Sequence, residues 1–123
     1  MTEAAITVQG IYASAVVTDF QAGLAWYTRF MGRPADDHPL PDMAQWRNMG
    51  GAGLQIWHDP TRAGRAIITV VVPSLTIEKT RLEAAGLTLT NEAVGGFGGV
   101  AQLLDPEGNR INLVEPPKGF VNS

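Results

Sequence analysis

The chain has 123 residues, 45% of them hydrophobic, which suits a single domain with a core of its own. Nine basic residues against twelve acidic ones leave a net charge of −3 with no block of like charge, so the electrostatic footprint of a nucleic-acid or anionic-membrane binder is missing. The chain has no cysteine, no apolar run near the roughly 18 residues of a membrane span, and no basic-then-apolar secretory layout in MTEAAITVQG, so a cytoplasmic protein with a small-molecule partner is expected.

Residues 6–17 alternate and are rich in β-branched side chains, which predicts a strand. Asp19 is placed to cap a helix whose apolar positions Phe20, Leu24, Tyr27 and Met31 share one face, predicted to lie on a sheet; Gly32 ends it. The polar, proline-rich stretch RPADDHPLPD reads as a loop, with Asp36, Asp37 and His38 at the surface. Two strand-like runs follow, AQWRNMG and GLQIWH, with glycines between them to turn the chain, and then a linker.

The order then repeats. A strand is predicted over 66–72, a cap at Ser74 and a helix over 75–85 ending at Gly86, followed by LTLTNEAV, GGVAQLL, the turn DPEGN and RINLVEP. Both halves read as βαβββ, and the caps Asp19 and Ser74 are 55 residues apart, as expected from internal duplication. The single domain therefore divides into module one at 5–58, a linker at 59–65, module two at 66–116 and a tail at 117–123. One such module cannot cover both faces of its own sheet, whereas two can enclose a shared space.

VVTDFQAGLAWYTRFMG, TRLEAAG and DPEGNRINLVEP, in this order and spacing, resemble the vicinal oxygen chelate superfamily of glyoxalases, bleomycin resistance proteins and extradiol dioxygenases. The resemblance implies an α+β fold in which two βαβββ modules form curved mixed sheets around a central cavity. It implies any of several functions: isomerase, epimerase, dioxygenase, thiol transferase or drug-sequestering protein. It also implies a homodimer, for which the aromatic residues of helix one and the tail PPKGFVNS are candidate contacts.

Metal-dependent members of the superfamily place ligands on the first and last strands of each module. The corresponding positions here are Tyr12, Gln55, Ile67 and Asn112. These supply neither an anionic oxygen nor an imidazole nitrogen, the donors that zinc, nickel or iron prefers, so no metal and no cofactor is expected. His38 and His58 lie outside these positions, and Glu115, an odd number of residues from Asn112, belongs on the other strand face.

The two-residue period turns Tyr12, Ser14, Val16, Gln55 and Trp57 inward from module one, and Ile67, Thr69, Val71, Asn112 and Val114 from module two. This set is mostly apolar with a few neutral hydrogen-bonding groups, the usual make-up of a small-molecule pocket. A flat ligand would stack on Trp57 and bond to Gln55, Asn112 and the Tyr12 hydroxyl. Each residue also has a plainer role: Gln55 and Asn112 as buried amides bonded to one another or to water, Ile67 as core, Trp46 and Trp26 as packing. Arg110 shares the inward parity of Asn112 and either clamps an anionic group at the mouth or is solvated. VGGFGGV precedes no helix, so it is a flexible loop, or a rim with Phe97 as lid, rather than a phosphate cradle.

The expected function is a metal-independent binder of a small hydrophobic or aromatic ligand, such as an antibiotic or a metabolite. The alternatives are a metal-free isomerase, cyclase or lyase with Tyr12 as general acid, and then a metal-dependent lyase or dioxygenase with displaced ligands.

Overall fold

The computed structural model describes residue 5, residues 9–96 and residues 98–117. In chain order the elements are β1 (Ile11–Val17), α1 (Phe20–Met31), β2 (Met43–Met49), β3 (Ala52–His58), β4 (Ile67–Val71), α2 (Leu75–Ala84), β5 (Thr90–Gly95), β6 (Gly98–Leu104) and β7 (Arg110–Glu115). β1 begins at Ile11, later than the sequence suggested; residues 6–8, Phe97 and the tail beyond residue 117 lie outside the described residues.

Both helices start where the caps were predicted. The Asp19 carboxylate accepts from the Ala22 N–H, and Gly32 closes α1 with φ of 77°, a left-handed conformation that suits glycine. The Ser74 hydroxyl accepts from the Ile77 N–H at the start of α2. The buried face of α1 is rotated from the predicted one. Gly23, Trp26, Tyr27 and Phe30 are covered, while Phe20, Leu24 and Met31 pack at its margin. Trp26 stacks on Phe30 with ring centroids 5.5 Å apart. Trp26, Tyr27 and Phe30 are therefore spent on the chain's own core, while Phe20 is half-buried.

The strands form a three-stranded sheet in the order β1-β3-β2 and a four-stranded sheet in the order β4-β7-β6-β5. β1 runs parallel to β3 and β4 parallel to β7; the hairpin pairs β2–β3, β5–β6 and β6–β7 are antiparallel. The sheets do not close into a barrel. Module two is βαβββ as predicted, but module one has one strand fewer, the strand between α1 and β2 being reduced to a single bridge between Asp37 and Gln45. The physical reason is local. Pro34 and Pro39 flank the segment and lack the N–H a ladder needs. Beside the bridge, an Asp36 carboxylate oxygen takes the Arg47 N–H at 2.6 Å, where a strand carbonyl would otherwise sit.

One core serves both modules. Ala15, Trp46, Leu54 and Ile56 from the first sheet join Ile68, Leu103, Ile111 and Leu113 from the second, with α1 and α2 covering them. Trp46 is fully buried and its indole N–H donates to the Arg33 carbonyl at 2.9 Å, which makes it a packing residue. Module two also ties down both ends of α1. Glu107, in the turn between β6 and β7, accepts from the Thr18 hydroxyl and the Asp19 N–H. At the other end the Arg81 guanidinium of α2 donates to the Arg29 and Phe30 carbonyls.

Candidate functional site

Helix packing on one face of each sheet leaves the other face for function. Along β1, Ala15 and Val17 are buried toward the helices while Ser14 and Tyr12 are exposed; along β4, Ile68 is buried while Ile67, Thr69 and Val71 are exposed. The alternation read from the sequence therefore holds: Tyr12, Ser14, Val16, Gln55 and Trp57 share the helix-free face of the first sheet, and Ile67, Thr69, Val71, Arg110, Asn112 and Val114 that of the second.

Among the described residues, members of the two sets line different clefts. A cleft of about 490 Å³ is lined by Ser14, Val16, Gln55 and Trp57 together with His58, Asp59 and Arg62. Its side chains all precede module two. Arg62 and Asp59 come from the stretch read as a linker, where nothing marked them as lining residues; their side chains approach to 4.0 Å. The Thr61 hydroxyl, donating to Asp59, holds that carboxyl below the usual aspartate range. Thr69 and Val71 instead line a second cavity of about 700 Å³ at the seam between modules, opposite Ile11 and Ala13, where among the described residues Thr69 is the only polar side chain.

Inside the cleft the hydrogen bonds form a directed chain. The Ser14 hydroxyl donates to Gln55 Oε1 at 3.1 Å and the Trp57 indole N–H donates to the same oxygen at 3.0 Å. Gln55 Nε2 donates to Gln45 Oε1 at 2.9 Å, and Gln45 Nε2 to Asp37 Oδ1 at 3.3 Å. Gln55 thus fixes the Trp57 ring instead of reaching freely for a ligand. The second sheet carries a similar row: Asn91 donates to Gln102, Gln102 to Asn112, and Asn112 to the Thr69 hydroxyl. Gln55 and Asn112 therefore pair with Gln45 and Gln102, not with one another. Sequence reasoning missed both partners, although a signal was there: Gln45–Gln55 and Gln102–Asn112 are each ten residues apart across a hairpin.

Other predicted residues are placed as follows. The Tyr12 ring lies against Gly53, and among the described residues its hydroxyl has no hydrogen-bond partner. Arg110 is half-buried on β7 between Ile67 and Leu104, away from the cleft, with its Nε covered and unbonded. The Glu115 carboxylate accepts from the Leu75 N–H at 2.7 Å, on the helix side, as its parity required. His38 lies edge-on to Phe20.

The superfamily's metal chemistry does not fit these residues. The side chains at the ligand positions are a phenol, two amides and an isoleucine, and the amide oxygens already accept from Ser14, Trp57 and Gln102. Among the described residues no three His, Asp or Glu side chains gather as a metal site.

The chain is similar over residues 12–114 to the glyoxalase-like domain family. Solved structures that resemble it include a glyoxalase/bleomycin resistance protein from Catenulispora acidiphila DSM 44928, 28% identical, with a TM-score of 0.83, covering 90% of this chain and 100% of that one. TnmS3, an antibiotic binding protein from Streptomyces sp. CB03234, is 22% identical with a TM-score of 0.73 over 94% of this chain and 99% of its own. A bleomycin-binding protein complexed with bleomycin is 17% identical with a TM-score of 0.69, covering 89% and 98%. No curated protein sequence matches the chain significantly. With the two-module α+β fold and a match spanning most of its length, the chain belongs to the glyoxalase-like domain family.

Proposed function

We propose that this protein binds a small, flat, largely apolar ligand on the helix-free face, without a metal ion. The carrying observation is the cleft in which Gln55 holds the Trp57 indole in one orientation beside Val16 and Ser14. Such a wall offers stacking area at little ordering cost, and the neutral amides around it satisfy a ligand's polar groups without charge. The bleomycin-binding and antibiotic-binding proteins of similar fold support this reading.

The ligand site is completed by a second copy of the chain. Tyr12, Ile67, Val71 and Leu104 stand exposed on the helix-free faces, Ile67 and Leu104 each at 63%, an apolar set that solvent covers poorly. A homodimer that laid one chain's second sheet over the other's cleft would bury them and bring Asn112 and Thr69 toward the ligand.

The test is binding of a panel of two-ring aromatic compounds followed by melting temperature and tryptophan fluorescence. Ligands that raise Tm and quench fluorescence in the native protein, with the quenching lost in Trp57→Phe, are the expected result, since binding to the folded state must stabilise it. A panel with no effect on either signal overturns the reading. Sedimentation equilibrium is expected to give a dimer for the native chain and a monomer for Ile67→Glu.

A further inference from the structure

The amides of the cleft are fixed in direction by groups that cannot exchange roles. An indole N–H only donates and an ionised carboxylate only accepts. Trp57 therefore requires the oxygen of Gln55 to face it at 3.0 Å, which turns Gln55 Nε2 toward Gln45. Gln45 must then present its oxygen to Gln55 and its nitrogen to Asp37, whose Oδ1 lies 3.3 Å away. The two ends demand the same orientation. Reversing either amide would set N–H against N–H at Trp57 or oxygen against oxygen at Asp37.

The consequence falls on Ser14. Its hydroxyl, 3.1 Å from an oxygen, must donate its single proton to Gln55, so what it turns to the cleft is lone pairs. The row on the second sheet has no such anchors: Asn91, Gln102, Asn112 and Thr69 each both donate and accept, and all four can reverse together. One half of the site is set and the other adaptable.

Building on the proposed ligand cleft, we infer that Ser14 is a specificity-determining acceptor and that the ligand is an aromatic carrying a hydroxyl or N–H donor directed at it. A ligand carbonyl or ether at that point would meet lone pairs, and Ser14 would have to abandon Gln55 to serve it.

The test uses two matched pairs of probes, 2-naphthol with 2-methoxynaphthalene and indole with 1-methylindole, and measures Kd by isothermal titration calorimetry for the native protein, Ser14→Ala, Ser14→Thr and Trp57→Phe. Comparing the same pair across variants cancels the greater hydrophobicity of the methylated member. The donor-bearing member is expected to gain roughly 3- to 10-fold relative to its methylated partner in the native protein over Ser14→Ala, the value of one net hydrogen bond. Ser14→Thr keeps the preference, and Trp57→Phe weakens both members alike. A preference unchanged in Ser14→Ala, or none in the native protein, overturns the assignment to Ser14 while Trp57-dependent binding leaves the cleft standing. No Trp57-dependent binding of any probe removes the cleft and the inference with it.

Discussion

The Tyr27 hydroxyl of α1 donates a 2.8 Å hydrogen bond to Asp105 Oδ2, in the turn between β6 and β7, and so joins the two modules through a buried carboxylate. The same oxygen accepts from Asn109 Nδ2, which also donates to the Val16 carbonyl, while Asn109 Oδ1 accepts from the Ala66 N–H. Tyr27→Phe keeps the ring and its packing on Trp26 but strips the carboxylate of one donor. A loss of about 1.5–3 kcal/mol is expected, the range for a hydrogen bond to a charged group, read from urea unfolding. Burial, then the Asp105 charge and its hydrogen bond, push the Tyr27 phenol far above its ordinary value. A raised folded pKa means the stabilisation is complete below about pH 10 and falls as pH rises beyond it. Tyr27→Phe should therefore unfold less steeply than the native protein in alkali.

Acid should loosen the opposite side of the same turn. The Asp19 N–H, followed by the Thr18 hydroxyl, holds the Glu107 carboxyl below its ordinary value of 4.5. A depressed folded pKa gives stability that is present above that value and lost as pH falls through the lower, folded one. Glu107→Gln is expected to flatten the decline of Tm between roughly pH 5 and 3 relative to the native protein. An identical acid limb in the variant would show that Glu107 does not couple the modules.

Gly53 holds space for Tyr12. A Cβ at this position would overlap the Tyr12 ring and come within 2.8 Å of the Trp46 carbonyl oxygen, which belongs to backbone and cannot swing away. Gly53→Ala is expected to cost about 1–3 kcal/mol, as overpacking does, and to displace the Tyr12 ring. The double variant with Tyr12→Ala should recover part of the loss, seen in a double-mutant cycle by denaturant unfolding.

Metal removal should change nothing. With amides and a hydroxyl where ligands would be needed, protein incubated with Zn, Ni, Mn or Fe(II) and desalted is expected to hold no stoichiometric metal by elemental analysis, and EDTA to leave Tm unchanged. One ion per chain, or a drop in Tm with EDTA, would refute the neutral-site reading.

The helices, their caps and the inward parity of Ser14, Gln55, Thr69 and Asn112 were legible because each rests on local rules: hydrogen bonding at a helix end, and alternation along a strand. The lost strand of module one was harder to see. The proline-rich stretch was read as loop, yet one bridge survives in it, because Asp36 and Asp37 satisfy the edge of β2 without continuing a ladder. The buried face of α1 also differs from the one periodicity gave: Gly23, Trp26, Tyr27 and Phe30 are covered, with Trp26 and Phe30 stacked on one another.

By itself the sequence determined the duplicated α+β plan and the neutral side chains at Tyr12, Gln55, Ile67 and Asn112, for periodicity and side-chain chemistry travel with the chain. Only the tertiary structure decided that Gln45 and Asp37 stand behind Gln55, that Trp57 is held by its own indole nitrogen, and that the turn at 105–109 fastens the first helix. Hydrogen-bond direction depends on which donor-only and acceptor-only groups close a row, and those are brought together by strand register across residues far apart in sequence.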